Sequence, residues 1–314
     1  MRNPQDHLFE IVGADLNTKA IQQDKPARIG MRSRLRAGLR GGPRTGRFPV
    51  AAAAVLLLII LGCIFCGLFT GDDPFRMDLA HVSAPPDSAH LFGTDTLGRD
   101  IWSIIWYGGR RSLFIGAFAT LISTAIAVVY GSISGLAGRA VDSVMMRVSE
   151  ILLSIPSLLL VIFVQAVVGQ QNVVGIAVII GITGWMSVAK MVRTEVKRIR
   201  ESEYVLISKM MGGNFLHVMT KHLAPNFAST IMFMVVMNIR SAIVSESTLS
   251  FLGIGLPVEI ITWGSMLSLS EKALLTGSWW IILIPGIFLV VTLLCVTELG
   301  NFLRGSKSSR HGNL

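Results

Sequence analysis

The sequence predicts an all-α integral membrane protein with six transmembrane helices and both termini in the cytoplasm. Three observations lead to this prediction: a low charge content, six long apolar runs and an uneven distribution of basic residues. Of the 314 residues, 52% are hydrophobic and 15% are charged, whereas soluble domains carry about 25% charged residues. The composition therefore indicates that lipid surrounds most of the chain.

Six apolar runs are long enough to cross the hydrocarbon core, which requires about 20 helical residues. The first run carries no charge and follows 49 other residues. It is longer than the apolar part of a signal peptide and no small-residue cleavage site follows it, so we expect a retained span. The predicted spans are Val50–Thr70, Leu113–Ala137, Val144–Val168, Val173–Val192, Phe227–Phe251 and Trp279–Leu303.

The basic residues indicate the orientation. With the N-terminal tail inside, 22 of the 28 Lys and Arg residues lie on the cytoplasmic side, 5 lie outside, and Arg240 lies within the fifth span. Because cytoplasmic loops retain Lys and Arg, this split places both termini inside. The predicted organisation is a basic cytoplasmic tail over residues 1–49, a first span over 50–70, an outer loop over 71–112, a core of five spans over 113–303 and a cytoplasmic tail over 304–314.

The net charge of +9 would also be consistent with nucleic acid as a partner. The basic residues cluster beside the apolar runs, however, and no base-stacking aromatic residues are interleaved with them. A topology signal explains the charge better. We therefore expect contact with membrane lipid and none with nucleic acid.

Short connections join the second, third and fourth predicted spans. Gly138–Ser143 and Gly169–Asn172 are predicted to be tight turns, which would make these three spans a compact up-and-down bundle. Gly253 and Gly255 are predicted to permit a tight turn after the fifth span. The three remaining connections are long, and long loops often carry function.

The long inner loop after the fourth span is predicted to contain two short helices. Tyr204, Ile207 and Met211 place an apolar stripe on the first helix. Gly212, with the glycine after it, ends that helix, and Pro225 ends the second. By itself, this pattern is also typical of an ordinary amphipathic loop that lies on the inner membrane face.

The same loop resembles the EAA loop of permease subunits of ATP-binding-cassette importers. In that loop a Glu, two small residues and a Gly are followed, after nine more residues, by an apolar-x-Leu-Pro ending. Glu203, Gly212 and Pro225 occupy the matching positions, while Ile207 and Ser208 replace the two alanines. The resemblance implies that the loop docks on a separate ATPase subunit. The implied coupling residues are Glu203, Tyr204, Ile207, Ser208, Met211, Gly212 and Pro225.

Beyond the N-terminal tail, most of the chain is similar to permeases of the dipeptide/oligopeptide group, which also includes nickel and opine permeases. The stretch His90–Asp100 resembles the outer-loop motif of that group, and the sixth span fits less well at residues 297–301. The matching residues of the outer-loop motif are Gly93, Thr94, Asp95, Gly98, Arg99 and Asp100. Further matches follow in order at residues 107–113, 142–156, 246–255 and 263–267.

This resemblance implies the ABC importer permease fold and the second, or C-type, permease of a pair in the bacterial cytoplasmic membrane. The implied partners are a second permease subunit, two ATP-binding subunits and an extracytoplasmic solute-binding protein. The chain contains no Gly-x-x-x-x-Gly-Lys-Ser/Thr phosphate loop, so ATP and Mg would be bound by the partner ATPases. We expect no enzymatic activity, no catalytic residue and no metal site in this chain. Its implied role is half of a peptide pathway that alternates between inward-open and outward-open states.

Arg240 and Glu246 are the candidate pathway residues, because a charged side chain inside a span costs about 3 kcal/mol on insertion scales. For Glu246, a pathway role and hydrogen bonding to neighbouring helices are equally supported. Arg240 is the better candidate for a cation that lines a cavity and meets an anionic part of the cargo. Glu150 and Pro156 are predicted to shape and kink the third span.

The sequence is also compatible with transport of cargoes other than peptides. A permease for a metal chelate or an opine stays open, since the same motifs serve those cargoes. A secondary transporter or a channel would not need the ATPase-docking loop and would more often show broken helices or charge-lined pores. Peptide export is disfavoured because the outer-loop motif belongs to importers, and an intramembrane enzyme is disfavoured because the sequence offers no catalytic constellation.

Overall fold

The computed structural model describes residues 49–70, 75–169, 172–201, 224–257, 259–269, 273 and 276–308. These residues contain nine helices and no strand, and their one extended pairing is an isolated bridge between Thr94 and Asp100. The all-α class is therefore confirmed for this part of the chain. The helices are α1 (Val50–Ile64), α2 (Cys66–Phe69), α3 (Ile101–Leu136), α4 (Arg139–Leu153), α5 (Ser157–Val168), α6 (Val173–Arg200), α7 (Ala224–Phe251), α8 (Trp263–Ser268) and α9 (Trp280–Ser308).

Four of these helices are long and apolar enough to cross a membrane. They correspond to the second, fourth, fifth and sixth predicted spans. Helices α4 and α5 make a fifth crossing if the bent pair is counted as one span, and α1, with 15 residues, is apolar but shorter. The qualifying segments are Ile101–Leu136, Val173–Arg200, Ile231–Phe251 and Trp280–Arg304.

The first predicted span, Val50–Thr70, is interrupted. Helix α1 ends at Ile64, and Phe65, with φ −95° and ψ 15°, separates it from the four-residue α2. At this point the Leu68 N–H donates to the Phe65 carbonyl over 2.9 Å, which forms a tighter turn than that of an α-helix. A single helix over the whole segment is therefore wrong, although the apolar run is helical on both sides of the interruption.

The third predicted span, Val144–Val168, is also broken. Helices α4 and α5 meet at an angle of 87°. Pro156 has no N–H to donate and restricts the residue before it to extended conformations, so one helix cannot run through this position. The kink predicted at Pro156 is confirmed. The carboxylate of Glu150 forms two ion pairs, with Arg147 at 3.3 Å and with Lys190 at 3.7 Å.

The second span begins earlier than predicted. Helix α3 starts at Ile101 rather than Leu113, because the Asp100 side chain caps it by accepting a hydrogen bond from the Ser103 N–H at 2.9 Å. The predicted outer loop over 71–112 is therefore wrong in its second boundary, and residues 101–112 are the first turns of α3.

Of the two predicted tight turns, one is mostly wrong and the other is confirmed. The inner turn at Gly138–Ser143 is wrong for most of its length, because α4 already begins at Arg139. The outer turn after α5 is confirmed at both ends, where Gly169 has a φ of 67° and Asn172 caps α6 by accepting a backbone hydrogen bond at 2.7 Å. Gly253 has a φ of 73°, as expected for the turn after α7.

Helices α3 and α6 pack against each other along most of their length, and glycines allow this close approach. A Cβ atom added at Gly131 would lie 2.6 Å from the Ala189 carbonyl oxygen, and one at Gly135 would lie 2.8 Å from Val196. On α6, a Cβ atom at Gly181 would lie 2.8 Å from a side chain of α3. A larger residue at any of these positions would push the two helices apart.

Buried apolar residues form three layers along α3. One layer surrounds the start of α3 and includes Trp263, the next surrounds Ile115, and the third packs Val192 of α6 against the last part of α3. Helices α1, α6 and α7 all pack on α3, while α9 packs on α1 and α7. Helix α3 is therefore the axis around which the described spans assemble.

Candidate functional site

A cleft with a polar wall and apolar surroundings lies where α4 and α5 bend apart. Three adjoining cavities of about 310, 60 and 400 Å³ share two residues, Ser157 at the start of α5 and Ser241 of α7. Hydroxyl groups therefore line open space at the point where the third span is broken. The walls also contain methionines and further polar residues, namely Met186, Met191, Met234, Met237, Thr183, Asn238, Ser245 and Thr248.

Helix α7 supplies the polar wall of this cleft. Ser241, Ser245 and Thr248 follow one another at intervals of four and three residues, which places them on one face of the helix. Asn238, three residues before them, donates a hydrogen bond to Ser123 of α3. The hydroxyls of Ser241 and Ser245 have no hydrogen-bond partner among the described residues. These two hydroxyls are therefore available to a molecule in the cleft.

Arg240 lies beside this polar wall and lines the cavity of about 400 Å³. Its side chain is exposed, and no carboxylate among the described residues, including Glu246, lies within ion-pair distance of it. Arg240 is the residue predicted from the sequence as a cavity-lining cation. Contact between Arg240 and cargo stays a prediction.

Glu246 has a different environment from Arg240, because its side chain is fully buried. Its Oε1 accepts a hydrogen bond from the Ser250 hydroxyl at 2.9 Å, and its Oε2 accepts from the hydroxyls of Ser112 at 3.2 Å and Ser247 at 3.4 Å. The Ser112 hydroxyl in turn accepts a hydrogen bond from the backbone N–H of Trp263 at 3.2 Å. Glu246 thus links α3, α7 and α8, and it does not line any of the three cavities.

The outer-loop motif folds into a compact unit in front of α3. Gly93 and Gly98 have φ values of 72° and 73°, a conformation that side chains rarely adopt. Asp95 and Arg99 form a buried ion pair of 2.7 Å, and the Thr94 hydroxyl donates to and accepts from the backbone of the preceding segment. Asp100, which caps α3, is the last of the six motif residues, and all six lie close together. The buried ion pair and the backbone hydrogen bonds give the motif a defined shape in front of α3.

Two histidine–aspartate contacts hold the segment before this motif. His81 Nδ1 lies 2.8 Å from Asp78 Oδ2, and this hydrogen bond holds the pKa of the Asp78 carboxyl below its usual range. His90 Nδ1 lies 3.2 Å from Asp100 Oδ1, and the His90 backbone N–H lowers the pKa of the Asp87 carboxyl. The contact between His90 and Asp100 attaches the loop to the N-terminus of α3, while the contact between His81 and Asp78 lies within the loop.

Asp142 clamps the start of α4 to the end of α6. Its carboxylate accepts a hydrogen bond from Arg193 Nη2 at 2.6 Å, from the Lys197 ammonium and from the Ser134 hydroxyl of α3 at 2.6 Å. The aspartate is buried while both cations are partly exposed. Helix α6 continues to Arg200, immediately before the predicted coupling loop.

Most of the predicted coupling loop lies outside the described residues. Pro225, its last predicted member, is the second residue of α7. Proline is tolerated in the first turn of a helix, where its missing N–H would have no partner, so Pro225 lies in the first turn of α7 and its role in the coupling loop stays a prediction. The coupling residues outside the described part of the chain are Glu203, Tyr204, Ile207, Ser208, Met211 and Gly212.

The hydroxyl wall of the cleft and the ion pairs of Asp142 were not predicted from the sequence. The spacing of Ser241, Ser245 and Thr248 was available as a signal, because polar residues on one face of an apolar helix mark a face that avoids lipid. Asp142 had a weaker signal, namely the two basic residues four positions apart at the end of α6. Their meeting depends on packing between segments distant in sequence.

Comparison with known proteins supports the resemblance noted in the sequence. Residues 127–304 match the family described as binding-protein-dependent transport system inner membrane component. The dipeptide transport system permease protein of Bacillus subtilis is 35% identical over 261 residues, which cover 83% of this chain and 81% of that protein. The oligopeptide transport system permease protein of the same organism is 34% identical over 304 residues, or 97% of each chain. A putative peptide transport system permease protein of Brucella suis is 32% identical over 255 residues, covering 80% and 83%. The chain therefore belongs to the family of inner membrane components of binding-protein-dependent transport systems.

Proposed function

We propose that this chain is the second permease subunit of an ATP-binding-cassette importer for peptides. The observation that carries the proposal is the similarity over 97% of the chain to a permease named for oligopeptide transport. The polar cleft at the break of the third span supports it, because hydrogen-bonding groups inside a membrane protein commonly line the path of a solute. The family match gives the general class of transport, in which a binding protein delivers the solute.

In the proposed assembly the chain crosses the membrane six times and has both termini in the cytoplasm. A second permease completes the pathway, and an extracytoplasmic solute-binding protein delivers the cargo. Two ATP-binding subunits hold ATP and Mg and dock on the loop that contains Glu203 and Gly212. This chain contributes no catalytic group to ATP hydrolysis.

The proposed mechanism is alternating access by rigid-body movement. Closure of the two ATPase subunits pulls on the coupling loops, and the permeases rock between inward-open and outward-open arrangements. The closely packed α3 and α6 move together, because Gly131 and Gly135 leave no room between the two helices for a side chain, and a relative shift would place larger residues of α3 against α6. The cleft beside α5 and α7 then faces one side of the membrane at a time.

Reconstitution tests this proposal. We expect proteoliposomes that contain both permeases and both ATPase subunits to take up labelled trialanine when ATP and Mg are on the ATPase side and the binding protein is on the other. The chain purified alone is expected to neither bind nor hydrolyse ATP. Uptake of a nickel chelate or an opine in place of the peptide would contradict the cargo class, and stoichiometric ATP binding by the isolated chain would contradict the division of labour.

A further inference from the structure

Arg240 occupies the interior of the fifth span. It lies 16 residues after the start of α7 and 11 residues before its end, which places it about 24 Å and about 17 Å along the helix from those ends. A guanidinium at this depth is costly when it faces lipid, and such cations normally face a partner or water. Arg240 therefore needs water or a polar partner at this depth, and no acidic residue in the described part of the chain supplies that partner.

The surroundings of Arg240 are suited to a hydrogen-bonding ligand. Its cavity is also lined by Ser157, Ser241, Ser245 and Thr248. Of these, Ser241 and Ser245 have hydroxyls without a hydrogen-bond partner in the described residues. A guanidinium beside hydroxyls without a partner can bind a carboxylate together with the amide groups attached to it.

We propose that Arg240 binds the C-terminal carboxylate of a peptide in transit, while the hydroxyls of Ser241 and Ser245 contact its adjoining backbone. This inference rests on the proposed function and specifies the part of the cargo that is recognised inside the membrane. Every linear peptide carries this carboxylate whatever its side chains, so one arginine serves cargoes of many sequences. The planar guanidinium also matches a carboxylate through two parallel hydrogen bonds.

The competing explanation is an ion pair with an acidic residue of the second permease. Such a pair would depend on the charge of Arg240 but would be indifferent to the end group of the cargo. A peptide and its C-terminal amide therefore separate the two explanations. Arg147, an exposed arginine of α4 that lines none of the three cavities, offers a matched control for loss of one positive charge.

The experiment measures uptake of trialanine and trialanine amide by the complete reconstituted complex. Each peptide is supplied at a concentration that saturates the binding protein, as determined by titration. We expect Arg240→Gln to lower uptake of the free acid by about tenfold to a hundredfold, the range for loss of a charged hydrogen-bond partner. Uptake of the amide should change by less than about twofold. Arg240→Lys should keep most of the uptake of the free acid. Arg147→Gln should leave the uptake of both peptides unchanged.

Each outcome bears on the inference. An equal loss for the acid and the amide in Arg240→Gln would overturn it in favour of an ion pair between the permeases, and an unchanged rate for both would overturn it as well. If the unsubstituted complex takes up neither peptide, the proposed function itself fails and the inference fails with it. The rate of the unsubstituted complex therefore distinguishes the two failures.

Discussion

At the scale of single residues, two charges on one helix have opposite environments. Arg240 and Glu246 are six residues apart on α7, which corresponds to roughly 240° around the helix axis. Their charges in an apolar run were enough to single them out from the sequence. The environment of Glu246 could not be predicted, because its partners Ser112 and Trp263 belong to other segments. Residue type and spacing indicate which side chains are costly to bury, while packing decides how that cost is offset.

Glu246 is expected to tolerate an amide but not truncation. Its described hydrogen-bond donors are hydroxyls without a cation, so Glu246→Gln should keep the apparent melting temperature in detergent. Glu246→Ala leaves buried hydroxyls without a partner, which costs about 1–3 kcal/mol for each group. The exposed Glu259→Ala serves as the control. If Glu246→Gln destabilises the protein as much as Glu246→Ala, the carboxylate charge is essential and this account of the network is wrong.

At the scale of helices, the third span shows what a sequence pattern can and cannot predict. Pro156 marked the position of the break, because proline is incompatible with a continuous helix. The angle of 87° between α4 and α5 was not predictable, since it depends on what each half packs against. The early start of α4 at Arg139 was also missed, and the clamp between Asp142 and α6 explains why this first turn is helical.

The clamp predicts a specific loss of stability. Asp142→Asn replaces the buried carboxylate that binds two cations with an uncharged amide. We expect this change to lower the free energy of unfolding by about 1–3 kcal/mol, as for a lost charged hydrogen-bond partner. Hydrogen exchange in α4 should become faster. Arg147→Ala breaks an exposed ion pair on the same helix and should have little measurable effect. Equal stability of Asp142→Asn and the unsubstituted protein would mean that apolar contacts alone hold α4 in place.

At the scale of the whole molecule, apolar length was a good predictor of the long helices and a poor predictor of their ends. The second, fourth, fifth and sixth spans are confirmed as long apolar helices. The interruption at Phe65 was not predicted, although Gly62 and Gly67 flank it, because an isolated glycine is tolerated inside a helical pattern. The fold of the outer loop was also beyond the sequence pattern, since Thr94 and Asp95 are held by contacts with the preceding segment.

The proposed topology can be tested at two exposed positions. Ser88 lies in the predicted outer segment and Ser143 lies near the predicted inner end of α4. We expect Ser88→Cys to react with an impermeant maleimide in intact spheroplasts, and Ser143→Cys to react only after the membrane is permeabilised. The three native cysteines are buried, so the unsubstituted protein should give little background. Labelling of Ser143→Cys in intact spheroplasts would reverse the orientation.

The close packing of α3 and α6 has a mechanical consequence. Helix α6 has 28 residues and is therefore about 42 Å long. Glycine contacts join α6 to α3. Asp142 binds the C-terminal end of α6, next to the predicted coupling loop. The pair can act as a lever: a tilt of about 10° at one end displaces the other by about 7 Å. Neighbouring extended chains lie only about 4.8 Å apart, so a small rotation at the predicted cytoplasmic end would move the opposite end by more than the spacing between two extended backbones.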